Sequence, residues 1–184
     1  ARRALRQVGP DRSGLQNVIA NGGDIQSAIV ETIKKLVGRV VYRLTKISDG
    51  RTTEELTRDG KYNYANPDIN SKNFPARARK DKSAEIVFIE GKDFDHDPTS
   101  EEVLQEAERR GLKRPVYEDG LYFGAEHPEV QREAPVVFLH EPWRVLFGGL
   151  RVLCLWSFDG GRMLDLRCFA DRWVRDCRFA FVRK

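Results

Sequence analysis

From Arg144 to Lys184 the chain has no Glu, Gln, Asn, Thr, His, Ile or Tyr, and Lys only at position 184. The preceding residues use all of these types freely. Cysteine is scarce overall: Cys154, Cys168 and Cys177 are the only three, and all lie in this segment. An odd number cannot pair completely within one chain. The gaps of thirteen and eight residues do not match paired zinc-ligand spacing. Reduced thiols are therefore expected. A Cys–His nucleophile pair would have to recruit His96, His127 or His140, and nothing local supports one.

Long apolar runs are also missing. No stretch approaches the eighteen or so residues of a membrane-spanning helix. The basic opening Ala1–Arg6 is followed by no apolar core of a signal peptide, which leaves secretion open. The motif Asp93-Phe-Asp-His-Asp97 begins like a calcium loop. Its sixth position is Pro98 where Gly is needed, and its twelfth is Leu104 where Glu is needed. No metal and no other cofactor is expected.

What remains is an ordinary globular composition: 184 residues, 40% hydrophobic and 33% charged. That length suits one domain with a tail. Residues 1–21 read as a basic lead-in, and 22–184 as a single domain. The net charge of +4 is uneven. Nine basic and four acidic residues from Arg144 onward leave a net of −1 for the rest. The basic C-terminal part permits a nucleic-acid-binding reading, which the interspersed Asp residues weaken.

The pattern predicts a helix over 25–37, capped by Asp24 and stopped by Gly38. A strand is expected over Arg39–Ile47 and a turn at Asp49-Gly50. Residues 51–83 read as a polar loop insertion with one short helix near Thr53–Arg58, docked by Tyr62 and Tyr64. Ala84–Glu90 reads as a strand. Thr99-x-x-Glu102 is a capping box opening a helix that runs to about Arg110. A further helix is expected over Gly120–Arg132, then a buried strand over Pro135–His140 with Trp143 as a lid on it. Three strands close the chain: Leu150–Phe158, Met163–Phe169 and Cys177–Arg183, the first two joined at Asp159-Gly160-Gly161. The fold class is α+β, with two or three helices and a mainly antiparallel C-terminal sheet.

Strand alternation puts Leu153, Leu155, Leu164 and Leu166 on a core face. Cys154, Trp156, Phe158, Asp165 and Arg167 fall on the opposite face, expected to be an exposed binding surface. The competing expectation is a second layer covered by the 51–83 loop.

The stretch Tyr122–Leu139 (YFGAEHPEVQREAPVVFL) resembles the helix–strand segment before the variable region in variable proteins of diversity-generating retroelements. Arg178–Lys184 is similar to their closing strand, and Leu164-x-Leu166 and Phe169-x-x-x-Trp173 to their fixed frame. The resemblance covers roughly Thr99–Lys184. It implies a C-type lectin-like fold, shared with formylglycine-generating enzymes. It also implies a non-enzymatic protein whose ligand, expected to be a protein, is met by residues rewritten through adenine-directed mutagenic reverse transcription. Codons of the form NNC exclude Glu and Gln, as observed after Arg144. They also exclude Trp and Met, so Trp156, Met163 and Trp173 must be fixed or come from other codons. The implied variable or ligand-facing positions lie around 144–184. They are Cys154, Trp156, Ser157, Phe158, Asp165, Arg167, Cys168, Ala170, Arg172, Val174, Arg175 and Cys177. Cys168 sits on the leucine parity unless a bulge intervenes. An oxidase of the formylglycine-generating type would need a matched cysteine pair that the spacing does not offer.

Overall fold

The computed structural model describes residues 40–146 and 148–183. The expected helix over 25–37 lies outside them. Among the described residues the fold is α+β: four α-helices and a seven-stranded, mostly antiparallel sheet. The strands are β1 (Tyr42–Leu44), β2 (Tyr64–Ala65), β3 (Ala84–Glu90), β4 (Val136–Arg144), β5 (Leu150–Phe158), β6 (Gly161–Cys168) and β7 (Arg178–Val182). Their order is β1-β3-β7-β4-β5-β6-β2. The β4–β7 and β2–β6 pairs are parallel and the others antiparallel.

Two helices start on the same device. In α1 (Thr53–Asp59) the Thr52 hydroxyl accepts from Glu55 N, while the Glu55 carboxylate accepts from Thr52 N. In α2 (Ser100–Arg109) Thr99 and Glu102 repeat the exchange. Each box satisfies amide groups that a helix start leaves without partners. The helix expected over Gly120–Arg132 is instead two, α3 (Tyr117–Glu126) and α4 (Val130–Glu133). Pro128 causes the break. It supplies no N–H, and it pushes His127 out of the helical region to φ −128°, ψ 59°.

β1 is shorter than the expected Arg39–Ile47 because its partner gives out: Leu44 pairs with Ala84, the first residue of β3. β4 runs past His140 to Arg144 through an irregularity between Phe138 and Trp143 that admits Pro142. Trp143 is thus part of β4, not a lid on it, and its ring lies 5.4 Å from that of Phe74. β5 and β6 meet in a two-residue turn, with Asp159 at φ 47° and Gly160 at φ 73°. That left-handed pair matches the twist of a hairpin.

Most of the sheet is buried on both faces. On one, Phe88, Phe138, Leu153, Leu155 and Leu164 pack with Leu56 of α1, Leu121 and Phe123 of α3, and Ile69 and Phe74 of the 51–83 insertion. On the other, Val137, Leu139, Val152, Cys154, Phe179 and Phe181 pack with Val103 and Ala107 of α2 and with Trp173 and Cys177. The insertion therefore covers the leucine face. The opposite face is covered by α2 and by the connection between β6 and β7. Arg77 and Arg79 help fix the insertion, meeting the buried carboxylates of Glu118 at 2.9 Å and Asp119 at 2.5 Å. Tyr62 packs on the core, whereas Tyr64 stays exposed.

Tyr62 also explains a glycine. A Cβ on Gly124 would fall far inside van der Waals contact distance of Tyr62 Oη and 3.0 Å from Cζ. That hydroxyl is buried and, among the described residues, makes no well-formed hydrogen bond; the Arg162 guanidinium lies over its ring. In an open helix Gly→Ala gains about 1 kcal/mol. Here Gly124→Ala is expected to cost about 1–3 kcal/mol by overpacking. Tyr62→Phe alone should be neutral or slightly stabilising, since it removes an unsatisfied polar group. In urea denaturation the double variant should recover most of the Gly124→Ala loss. Simple additivity of the two changes would contradict the contact.

Candidate ligand-binding surface

The β5–β6 hairpin sets which side chains are displayed. Its register is continuous from Arg151↔Cys168 to Phe158↔Gly161, with no bulge. Alternation therefore holds throughout, and Cys168 sits on the leucine face. On the opposite face Trp156, Phe158 and Arg167 form a ladder. The Trp156 and Phe158 rings are 6.4 Å apart, and the Arg167 guanidinium stands 5.1 Å from the Trp156 ring centroid. Phe158 is 67% exposed, so its apolar surface has no cover among the described residues. Arg167 is exposed, and its Nε lies 3.8 Å from the half-buried Asp165. Ser157 is also half-buried.

Beyond β6 the chain forms a pinned connection. Trp173 N donates to Pro98 O at 2.9 Å, and Trp173 Nε1 donates to Ser100 Oγ at 2.9 Å. Ser100 Oγ in turn donates to Phe169 O at 2.6 Å. These bonds bury the Trp173 ring against Phe179 and turn Ala170, Arg172, Val174 and Arg175 outward. Arg172 Nη1 donates to Asp97 O at 3.0 Å.

Two expected members of the surface are not on it. Cys154 and Cys177 are 3% and 5% exposed, inside the second core layer. The reason is α2, whose Val103 and Ala107 lie over that part of the sheet. Burial pushes the Cys177 thiol up to about 11 and raises that of Cys154 further. Burial thus disfavours the thiolate form of both at neutral pH. The histidines have other partners. His127 Nε2 faces Arg43 O, and His96 lies between Asp95 and Glu102. Among the described residues no cluster of His, Cys, Asp and Glu could hold a metal ion. No described helix is long and apolar enough to cross a membrane.

Two features escaped sequence reasoning. The first is a buried hub at the root of the hairpin. Arg162 is 4% exposed and donates to Gly60 O, to Gly124 O at 2.5 Å and to Gln131 Oε1 at 2.9 Å. Gln131 Nε2 donates to Trp156 O at 2.6 Å and Met163 O at 3.0 Å. α1, α3 and α4 are thereby tied to the hairpin that carries the displayed residues. The second is a cleft of about 370 Å³ on the leucine side, lined by Asn66, Asp68, Trp143, Arg151, Leu166 and Cys168 among others.

No family model, curated protein or solved structure matches this chain. The surface must therefore be interpreted from its own chemistry.

Proposed function

We propose that the protein is a non-enzymatic ligand-binding protein on a C-type lectin-like fold. In this reading its C-terminal surface belongs to a variable protein of a diversity-generating retroelement. The observation that carries it is the separation of frame from display. Leu153, Leu155, Leu164, Trp173 and Phe179 are buried. Ten of the twelve candidate positions, all but Cys154 and Cys177, are half-buried or exposed. A frame that folds independently of its displayed residues is what diversification requires. Exposed substitutions away from special features change stability by only about 0.5 kcal/mol. Binding energy would come from a few anchors, with Trp156, Phe158 and Arg167 the strongest by type and exposure. The two buried cysteines belong to the frame in this scheme, with raised thiol pKa values that give an oxidase reading no support.

The genetic test is direct. DNA near the coding region should carry a near-copy of the segment for residues 144–184, differing mainly where the copy has adenine. Absence of such a repeat sinks the retroelement reading. The physical test is a pair of libraries. Randomising Phe158, Arg167, Ala170, Arg172, Val174 and Arg175 should leave most clones folded, judged by protease resistance on a display surface. Randomising Leu153, Leu155, Leu164 and Trp173 should leave few. Equal survival would remove the distinction between frame and display.

A further inference from the structure

We infer that the free edge of β6, with the cleft beside it, is a docking site for a short extended peptide ending in a free carboxylate. The site lies at the strand edge and on the leucine face; of the Trp156–Phe158–Arg167 ladder only Arg167 also lines it. It does not depend on the retroelement reading.

Among the described residues the edge is open because β2 is short. β2 pairs with β6 only at Tyr64↔Met163 and Ala65↔Leu164. Asn66 N still donates to Leu164 O at 2.9 Å, but the next residue is Pro67, which has no N–H to continue. The two-residue hairpin closes on Phe158↔Gly161, so the odd-numbered residues of β6 bond to β5. The even-numbered ones point outward. Asn63 N donating to Arg162 O at 2.8 Å shows the same parity. Leu166 N is met by the Asp165 carboxylate at 2.8 Å. The Leu166 carbonyl and the Cys168 N–H have no partner among the described residues. An acceptor and a donor flanking one residue are what a single residue of a parallel strand satisfies with its own N–H and C=O. Such a residue, opposite Arg167, would continue the line of β2.

The same edge opens into the 370 Å³ cleft, near the lower end of ligand-sized sites at roughly 300–1,000 Å³. Across its floor the register aligns Trp143, Arg151 and Cys168 on three neighbouring strands. Arg151 is half-buried, and its guanidinium has no hydrogen bond or ion pair among the described residues. A guanidinium in that setting is a ready partner for a carboxylate, which it can grip with two parallel bonds.

The occupant must end here. Past Cys168 the chain turns away: Cys168 O accepts from Asp171 N at 3.4 Å, and Phe169 N bonds back to Leu150 O at 2.9 Å. A parallel strand running toward that turn finds no further edge. Its terminus falls beside Cys168, one strand from Arg151. Trp143, Val145 and Leu166 offer an apolar wall to the last side chain. Asp68 is exposed at the rim, which favours a basic residue earlier in the peptide, while Asp171 and the exposed Arg167 also line the cleft. This is strand addition with terminal-carboxylate capture.

The test is an NMR titration of the full ¹⁵N-labelled chain with three probes. These are acetyl-Lys-Val-Val with a free C-terminus, its C-terminal amide, and the acid N-methylated at the penultimate residue. The acid should give saturable shifts at the amides of Leu166, Arg167 and Cys168 and at Arg151 Nε. Amidation or N-methylation should each weaken binding at least tenfold. Arg151→Gln, with an otherwise unchanged spectrum, should bind acid and amide alike. Four outcomes overturn the assignment. One is equal binding of acid and amide to the wild-type chain, and another is shifts gathered on Trp156, Phe158 and Val174. The third is no saturation by any probe at millimolar concentration. The last is shifts at the edge that follow protein rather than peptide concentration, which marks a second copy there.

Discussion

Arg162→Met is expected to destabilise the chain by about 3–5 kcal/mol, seen as a lower urea midpoint with an unchanged slope. The side chain is buried, and its guanidinium is met by two backbone carbonyls and one amide oxygen. Removing it leaves the carbonyls of Gly60 and Gly124 and the Oε1 of Gln131 without their donor. Each buried, unmet acceptor costs about 1–3 kcal/mol. The lost stacking of the guanidinium on the Tyr62 ring, 4.8 Å away, adds to this. Arg162→Lys should recover only part of the loss, because an ammonium cannot reproduce the planar fork. Gln131→Ala should cost less, about 1–2 kcal/mol, since its main partners already belong to the hairpin ladder. A loss under about 1 kcal/mol for Arg162→Met would show that the helices hold the hairpin without it.

Acid should unfold the protein through His140. This residue is 1% exposed, at the irregularity in β4. Its Nε2 accepts from Leu153 N at 3.0 Å, which requires a neutral ring, and Nδ1–H then donates to Glu141 O at 2.7 Å. The imidazole takes the place of a missing ladder bond between β4 and β5. Burial lowers its pKa from 6.5 to about 4, and the positive charges of Arg114 and Arg77 act in the same direction. The folded chain therefore takes up this proton later than the unfolded chain. Stability is intact above pH 6.5 and falls as the pH drops toward 4, by about 3 kcal/mol in all. Asp119 works against this as the pH falls toward its ordinary value of 3.8. Burial raises its pKa despite Arg79 and Val116 N, so protonating it favours the folded state. His140→Gln should be less stable at neutral pH and should lose most of the slope between pH 6.5 and 4. Chemical denaturation at half-unit pH steps measures both. An unchanged slope in the variant would assign the acid response elsewhere.

The parts of this fold that were legible in the sequence are those governed by neighbours along the chain. Thr99 and Glu102 lie three residues apart, and Asp159-Gly160-Gly161 lies between two alternating runs, although Gly161 already belongs to β6. The helix start and the bounds of β5 followed from these local signals. The single helix expected over Gly120–Arg132 overlooked Pro128, whose effect is equally local. Other features depend on distant segments meeting. Trp173 and Ser100 are 73 residues apart, and Arg162 reaches Gly60 over 102. Alternation correctly put Cys154 opposite the leucines, but it cannot say that α2 will cover that side. For the same reason Arg151 drew no notice. Its interest lies in the absence of a partner, and absence is visible only when its surroundings are.

The order of the strands bears on how the protein is made. β7 is the last of the seven in the chain, yet it lies between β3 and β4 and pairs with both. While a ribosome is still producing β1 through β6, those two inner strands have nothing to join them. A nascent chain thus waits with two exposed edges, the condition that invites chaperones and aggregation. Any message cut short before Arg178 yields a product that cannot close its sheet. Completion of the fold is then a check on the reading frame across the whole preceding hairpin. Were that hairpin rewritten from copy to copy, a faulty rewrite that ended the chain early would be discarded as misfolded protein before it could be displayed.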